Sequence, residues 1–282
     1  MASTLRVNAY AKINLFLEIT ERRKDGYHIL STIFQTISLA DDITFRTSES
    51  LRLTCSDPLL PTDERNLALR AALQWRERLG EQKGALIHLK KNVPVGAGLG
   101  GGSSDAGAVL TTLSAWWRRN PSETLLHRTA LKLGADVPFF LKGGTCAAGG
   151  IGDRLHPLPP LPKTWLVLVY PGFGVSTKDA YAKVQFPLTG MRSIHKMTSL
   201  LSRPHPSAWA GQLFNRFEEL VFPDHPELPK IKQELLDAGA IGALMSGSGS
   251  SVFGIVESAA QGRKVLAILR KKYAQSWLVH TV

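Results

Sequence analysis

Pro94-Val95-Gly96-Ala97-Gly98-Leu99-Gly100-Gly101-Gly102-Ser103-Ser104-Asp105 decides how the rest of the chain is read, because five glycines fall in the seven positions from Gly96 to Gly102. A residue without a Cβ adopts left-handed backbone at little cost and lets main-chain N–H groups approach a ligand, so a run this dense suits phosphate oxygens. Behind it, Ala106, Leu110, Leu113 and Trp117 recur at helical spacing, and Ser103, Ser104 and Asp105 are residue types that start helices. Ahead of it, Ala85 to Lys90 reads as a short strand running into Asn92-Val93-Pro94. The pattern predicts a strand, a phosphate loop and then a helix whose positive dipole end points into the loop.

The kind of loop follows from what surrounds it. Gly96-x-Gly98-x-x-Gly101 has the spacing of a dinucleotide fingerprint, but that fingerprint sits in an early strand-helix-strand unit. A Walker loop needs Lys followed by Ser or Thr after its last glycine, whereas Gly101 is followed by Gly102-Ser103. The His-Arg-Asp and Asp-Phe-Gly elements of protein kinases have no counterpart downstream.

Working outward, Leu5 to Leu17 and Tyr27 to Ser38 read as strands joined by turn chemistry at Asp25-Gly26. Asp41-Asp42 is expected to turn the chain into a further strand, Ile43 to Arg46. A helix is expected from Asn66, as cap, to just before Gly80, with Leu69, Ala72 and Leu73 inward. The densest proline run, Leu155 to Pro162, suits neither a helix nor a central strand and is the candidate linker between two domains, 1–155 and 156–282. Beyond it come a strand at Trp165 to Tyr170, a helix at Leu228 to Ala238 ended by Gly239, a second glycine loop at Gly247 to Gly249, and a strand at Val252 to Val256. No internal repeat is present.

At 282 residues, with 44% hydrophobic and 20% charged residues, the chain has the composition of a folded globular protein of two ordinary domains. Cys55 and Cys146 are the only cysteines and are far apart, so neither a zinc knuckle nor a disulfide framework is expected, and reduced thiols fit a cytoplasmic protein. The N-terminus has no long apolar core of an export signal, and no apolar run approaches the roughly 18 residues of a membrane span. A net charge of +11 invites a nucleic-acid reading. The basic residues cluster only at Arg22-Arg23-Lys24 and Arg270-Lys271-Lys272, without interleaved aromatics, so an anionic small substrate is preferred and neither nucleic acid nor membrane is expected as a partner.

Three blocks together resemble the motifs of the GHMP small-molecule kinases: Ala11-Lys12-Ile13-Asn14-Leu15, the Pro94 to Ser104 block, and Met245-Ser246-Gly247-Ser248-Gly249-Ser250. Asp25-Gly26-Tyr27-His28 and Leu133-Gly134-Ala135-Asp136-Val137-Pro138 are similar to the branch that acts on a cytidine diphosphate-linked polyol. The sequence has Tyr10-Ala11 where the first motif usually carries proline, and Asp105 where some members carry asparagine. The resemblance implies an α+β fold of two domains, ribosomal-S5-like at the N-terminus and ferredoxin-like at the C-terminus, with the active site in the cleft between them. It implies Lys12 and Asp136 as catalytic residues. ATP would be held by Pro94, Val95, Gly96, Ala97, Gly98, Leu99, Gly100, Gly101, Gly102, Ser103 and Ser104, supported by Gly247, Ser248 and Gly249. Asn14, Tyr27, His28 and Tyr181 would bind the cytidine substrate, with Tyr181 stacking on the base.

The expected reaction is in-line transfer of the γ-phosphoryl group from ATP to a hydroxyl, with Mg²⁺ carried in on the nucleotide and no protein metal cage. Asp136 would accept the hydroxyl proton, and Lys12 would govern that base and the developing charge. Ser104 is a candidate magnesium contact at the helix start. A kinase for another small alcohol, of homoserine or mevalonate type, is the alternative, followed by a nucleotide-binding protein without catalysis and a basic nucleic-acid-binding protein. The oligomeric state is left between monomer and homodimer.

Overall fold

The computed structural model describes residues 4–282; Met1 to Ser3, where the stretch read for an export signal begins, lie outside the described residues. The first half runs β1 (Thr4–Arg22), β2 (His28–Ser48), β3 (Leu51–Cys55), α1 (Leu67–Arg78), β4 (Gly84–Lys90), α2 (Gly101–Trp116), α3 (Glu123–Leu133), β5 (Thr145–Gly149) and β6 (Arg154–Pro157). The second half runs β7 (Trp165–Val169), α4 (Thr177–Ala182), α5 (Ile194–Leu201), β8 (Phe214–Asn215), α6 (Phe217–Val221), α7 (Glu227–Asp237), β9 (Gly242–Met245), β10 (Val252–Val256), α8 (Ala259–Leu269) and β11 (Ser276–His280). The α+β class expected from the sequence is the one observed.

The chain forms two compact units built from interleaved stretches. The first comprises the chain up to Ala11, Leu39–Pro94 and Gly100–Gly143. In it β4 pairs antiparallel with Asp42 to Ser48 of β2 and parallel with β3. Ile43, Phe45, Leu53, Ile87 and Leu89 alternate inward from these strands, as a half-buried sheet requires, and meet α1 and α2. Trp75 of α1 is fully buried, and its indole N–H donates to Ser114 Oγ of α2 at 2.9 Å, so its large apolar area is removed from water without orphaning the donor. The ends of α1 are set locally: Asn66 Oδ1 accepts from the Ala68 N–H, and Gly80 takes φ +59° beyond the last turn. Of the residues expected inward, Leu69 and Ala72 are buried and Leu73 is partly so.

Two local expectations fail here. Asp41-Asp42 does not turn the chain, since β2 runs unbroken through it. The Asp41 carboxylate is instead fully buried, where Oδ1 accepts the N–H groups of Asn92 and Val93 at 2.6 and 2.8 Å and Oδ2 meets Lys91 Nζ. Long-range partners thus consume the polar capacity that would otherwise form a turn. Helix α2 also starts before Ser103: Gly100, at φ +69°, precedes its first residue, with no side-chain cap. The loop's own glycine makes the sharp entry that a capping side chain was expected to make.

The second unit comprises Lys12–Ser38, Val95–Leu99 and Gly144–Val282. Here β1 pairs parallel with β8, and Thr32 to Gln35 of β2 pair antiparallel with β5, which pairs in turn with β6. The first residues of the proline run, Leu155 to Pro157, form β6 at the margin of this sheet, where a proline leaves no ladder bond missing. A second, antiparallel sheet has the order β11-β7-β10-β9. Its β7 and β10 are almost wholly buried, and Val167, Val169, Val252 and Val256 form one core with Leu228, Ile231 and Leu235 of α7 and Val265 of α8. Among the described residues, no helix is long and apolar enough to cross a membrane.

Candidate active site

In the second unit, four of the expected pieces come together around β1. Lys12 is buried; its backbone N–H donates to Leu99 O at 3.0 Å, and its Nζ donates to Asn14 Oδ1 at 2.9 Å and lies 5.2 Å from the centre of the Phe34 ring. Alternation along the strand puts residues 12 and 14 on one face, which is why a lysine and an asparagine two apart can pair. Asn14 Nδ2 donates in turn to Thr32 Oγ1 at 2.8 Å, and Thr32 donates to Phe16 O at 2.6 Å. The ammonium is therefore held by a relay of oriented dipoles.

The loop segment Val95–Leu99 and the loop Gly247–Gly249 lie back to back. Ser246 Oγ donates to Gly98 O at 3.0 Å, and the Ser251 N–H donates to Ala97 O at 3.1 Å. Gly96 and Gly98 take φ +68° and +75°, and Gly247 and Gly249 take +57° and +93°, a region that side chains other than glycine rarely enter. At Gly98 space decides as well as conformation, since a Cβ there would lie 2.0 Å from Ser246 O. Asn215 Nδ2 donates to both Met245 O and Gly247 O, at 2.8 and 2.7 Å, and Ser248 Oγ shares a hydrogen bond with Thr177 Oγ1 at 2.9 Å. These bonds fix both glycine turns in place before any ligand arrives.

The first unit holds Pro94, the Gly100–Ser104 entry to α2, and Asp136. Ser104 Oγ donates to Tyr10 O at 2.6 Å, which orients the hydroxyl and leaves oxygen lone pairs available. Asp136 is half-buried in the turn after α3, where the Val137 N–H donates back to Gly134 O at 3.2 Å and Pro138 opens a 3-10 turn at Phe139–Leu141. Beneath the α2 entry, Lys91 Nζ donates to Asp105 Oδ2 at 2.9 Å and to Asp41 Oδ2. Burial alone would lower the lysine pKa, but the Asp105 and Asp41 carboxylates outweigh it and raise it. Asp105, buried, with only part of the lysine's charge to itself and Asp41 close by, is pushed up to about 7. Its Oδ1 has no hydrogen-bond partner among the described residues.

Of the residues expected to bind substrate, His28 and Tyr181 meet directly, with ring centres 5.0 Å apart and planes 16° from parallel. Phe217 packs edge-on against Tyr181 at 4.9 Å and fixes its plane. Burial, then the positive charge of Arg22, lowers the His28 pKa from its ordinary value, so the ring is neutral at pH 7. Its buried Nε2 has no hydrogen-bond partner among the described residues. Tyr27 is 60% exposed. The residues the motifs did not disclose are Thr32, Thr177, Asn215 and Lys91, each of which acts through a partner distant in the chain.

Comparison with known proteins places the chain in one class. The GHMP kinases N terminal domain matches residues 66–144, and the GHMP kinases C terminal domain matches residues 199–275. The chain is 39% identical to a 4-diphosphocytidyl-2-C-methyl-D-erythritol kinase of Clostridium beijerinckii, over 99% of this chain and 100% of that one. It is 41% identical to one of Chlorobium phaeobacteroides, over 95% of this chain and 92% of that one. A crystal structure of 4-(cytidine 5'-diphospho)-2C-methyl-D-erythritol kinase, 37% identical, superposes with a TM-score of 0.85 over 98% of this chain and 99% of that one. Homoserine kinase from Cytophaga hutchinsonii, at 22% identity and a TM-score of 0.78 over 99% of this chain and 94% of that one, shares the fold. The chain belongs to the GHMP kinase family, in the branch of the 4-diphosphocytidyl-2-C-methyl-D-erythritol kinases.

Proposed function

We infer that this chain transfers the γ-phosphoryl group of ATP to the 2-hydroxyl of 4-diphosphocytidyl-2-C-methyl-D-erythritol, giving the 2-phosphate and ADP, a step of the non-mevalonate route to isoprenoid precursors. The observation that carries the reading is the pair of interlocked glycine turns, Val95–Leu99 and Gly247–Gly249, set beside the Lys12–Asn14 pair. Main-chain N–H groups fixed in advance cradle phosphate without reorganising during the reaction.

In this reading Asp136 takes the proton from the 2-hydroxyl as the oxygen attacks, and Lys12 steadies the negative charge on base and phosphoryl group. Asn14 keeps the ammonium from swinging away. Neutral His28 offers one ring nitrogen to the cytosine edge, while Tyr181 and Tyr27 cover the base. Magnesium, which neutralises phosphate charge, would arrive with ATP. The Ser104 hydroxyl, whose proton is committed to Tyr10 O, fits such an ion with its lone pairs.

The test is coupled release of ADP by the purified protein with a panel of alcohols. Turnover with diphosphocytidyl-methylerythritol at least about a hundredfold above homoserine and mevalonate in kcat/KM is expected, a ratio that buried polar recognition of a base can supply. Equal turnover of the three alcohols would overturn the assignment.

A further inference from the structure

Phe186 lies outside every motif of the sequence, yet it sits beside His28. Its ring centre is 6.1 Å from that of His28, with planes 17° from parallel, so His28 has two near-parallel aromatic neighbours, Tyr181 and Phe186. Phe186 is 39% exposed, which makes it a poor contributor to any core. It belongs to the stretch between α4 and α5, and that stretch is held by a buried ion pair. Glu18, fully buried on β1, accepts from Arg216 Nε and Nη2 at 2.8 Å each. The same carboxylate accepts the Arg192 N–H at 2.9 Å, and Arg216 Nη2 donates to Gly190 O at 3.2 Å. The Arg192 and Arg216 guanidinium groups both lie against the Phe214 ring, at 4.7 and 5.1 Å.

A buried ion pair contributes little net stability by itself, because desolvation offsets the attraction; it is useful where it fixes one arrangement among several. After Glu18 and Arg216 satisfy each other, one further bond runs to the Ile19 N–H and one to the Glu219 carboxylate, and two more go to the main chain of residues 190 and 192. These last two tie down the far end of the segment that bears Phe186.

We propose that Phe186, held by the Glu18–Arg216 clamp on its segment, is a positioning residue that fixes the plane of the His28 imidazole for reading a pyrimidine edge. It acts through His28, and so rests on the assignment of His28 to cytosine recognition. Without the second ring, the imidazole rotates more freely about χ2 and presents its nitrogen correctly for a smaller share of the time. The loss falls on binding of the cytidine substrate and leaves ATP untouched.

The experiment compares Phe186→Ala, Phe186→Tyr and His28→Ala by steady-state kinetics and by NMR of the His28 ring protons in the ligand-free protein. Phe186→Ala should raise KM for the cytidine substrate about tenfold, with KM for ATP and kcat within about twofold, the pattern of lost ground-state binding. The His28 ring resonances should shift in the same variant as the ring current of Phe186 disappears, and Phe186→Tyr should restore both readouts. Unmoved His28 resonances in Phe186→Ala, or no rescue by Phe186→Tyr, overturn the inference. A raised KM in His28→Ala with no change in Phe186→Ala also overturns it but leaves the reading of His28 standing. An unchanged KM in His28→Ala removes that reading, and the inference with it.

Discussion

Gly98→Ala separates the glycine loop's structural demand from mere flexibility. The new Cβ would lie 2.0 Å from Ser246 O and 3.0 Å from Gly249 O, against a usual carbon-to-oxygen approach of about 3.3–3.6 Å, so the two loops must part by on the order of 1 Å. Both obstructing atoms are main chain and cannot rotate aside. The backbone at φ +75° costs an alanine about 1–2 kcal/mol. Parting the loops also breaks the Ser246 Oγ to Gly98 O and Ser251 N to Ala97 O hydrogen bonds, each worth about 1 kcal/mol. The expected loss is about 3–4 kcal/mol, a fall of roughly 10 °C in Tm for a chain of this size, with weakened ATP binding. Gly102→Ala is the control from the same glycine run: Gly102 is helical, its Cβ would meet only Leu67 Cδ1 at 3.6 Å, and the change should be neutral or stabilise by up to about 1 kcal/mol. Thermal unfolding followed by circular dichroism, with ATP titration, measures both variants. Equal Tm values for the two would refute the account of the interlocked loops.

Asp105→Asn should alter the pH dependence of stability. The folded-state pKa of Asp105 is raised above its unfolded value of 3.8, so its contribution is complete below that value and is lost as pH rises through about 7. Asparagine does not titrate, so stability relative to wild type should move in the variant's favour by about 1–3 kcal/mol between pH 5 and pH 8 in urea titrations; a difference constant with pH counts against the buried triad as described. Glu18→Ala strips a buried arginine of its main partner and should cost about 3–5 kcal/mol in the same assay, with Glu18→Gln less damaging. A loss below about 1 kcal/mol would mean that the clamp is not formed in solution.

Much of this architecture is legible in sequence because its signals are local. Asn66 and Gly80 mark both ends of α1 through the conformations of single residues, and the dense glycines of 96–102 announce a loop in which Gly96, Gly98 and Gly100 have positive φ. The misreadings arise where distant residues take over. Asp41-Asp42 has turn chemistry, but Lys91, Asn92 and Val93, some fifty positions on, occupy Asp41 completely and let β2 continue. Asn215 and Thr177 are unremarkable in the sequence, because their roles consist of bonds to Gly247 and Ser248 that exist only once the chain has folded. Phe186 is equally silent: nothing in its neighbours says that its ring will lie beside His28.

The proposed role of Asp136 as proton acceptor is tested by single-turnover transfer from ATP to diphosphocytidyl-methylerythritol in Asp136→Asn. Loss of a positioned base predicts a rate lower by about 10²–10⁴, with ATP affinity within a few-fold of wild type because the glycine turns are untouched. A transfer rate within about tenfold of wild type, with the nucleotide bound normally, would contradict it.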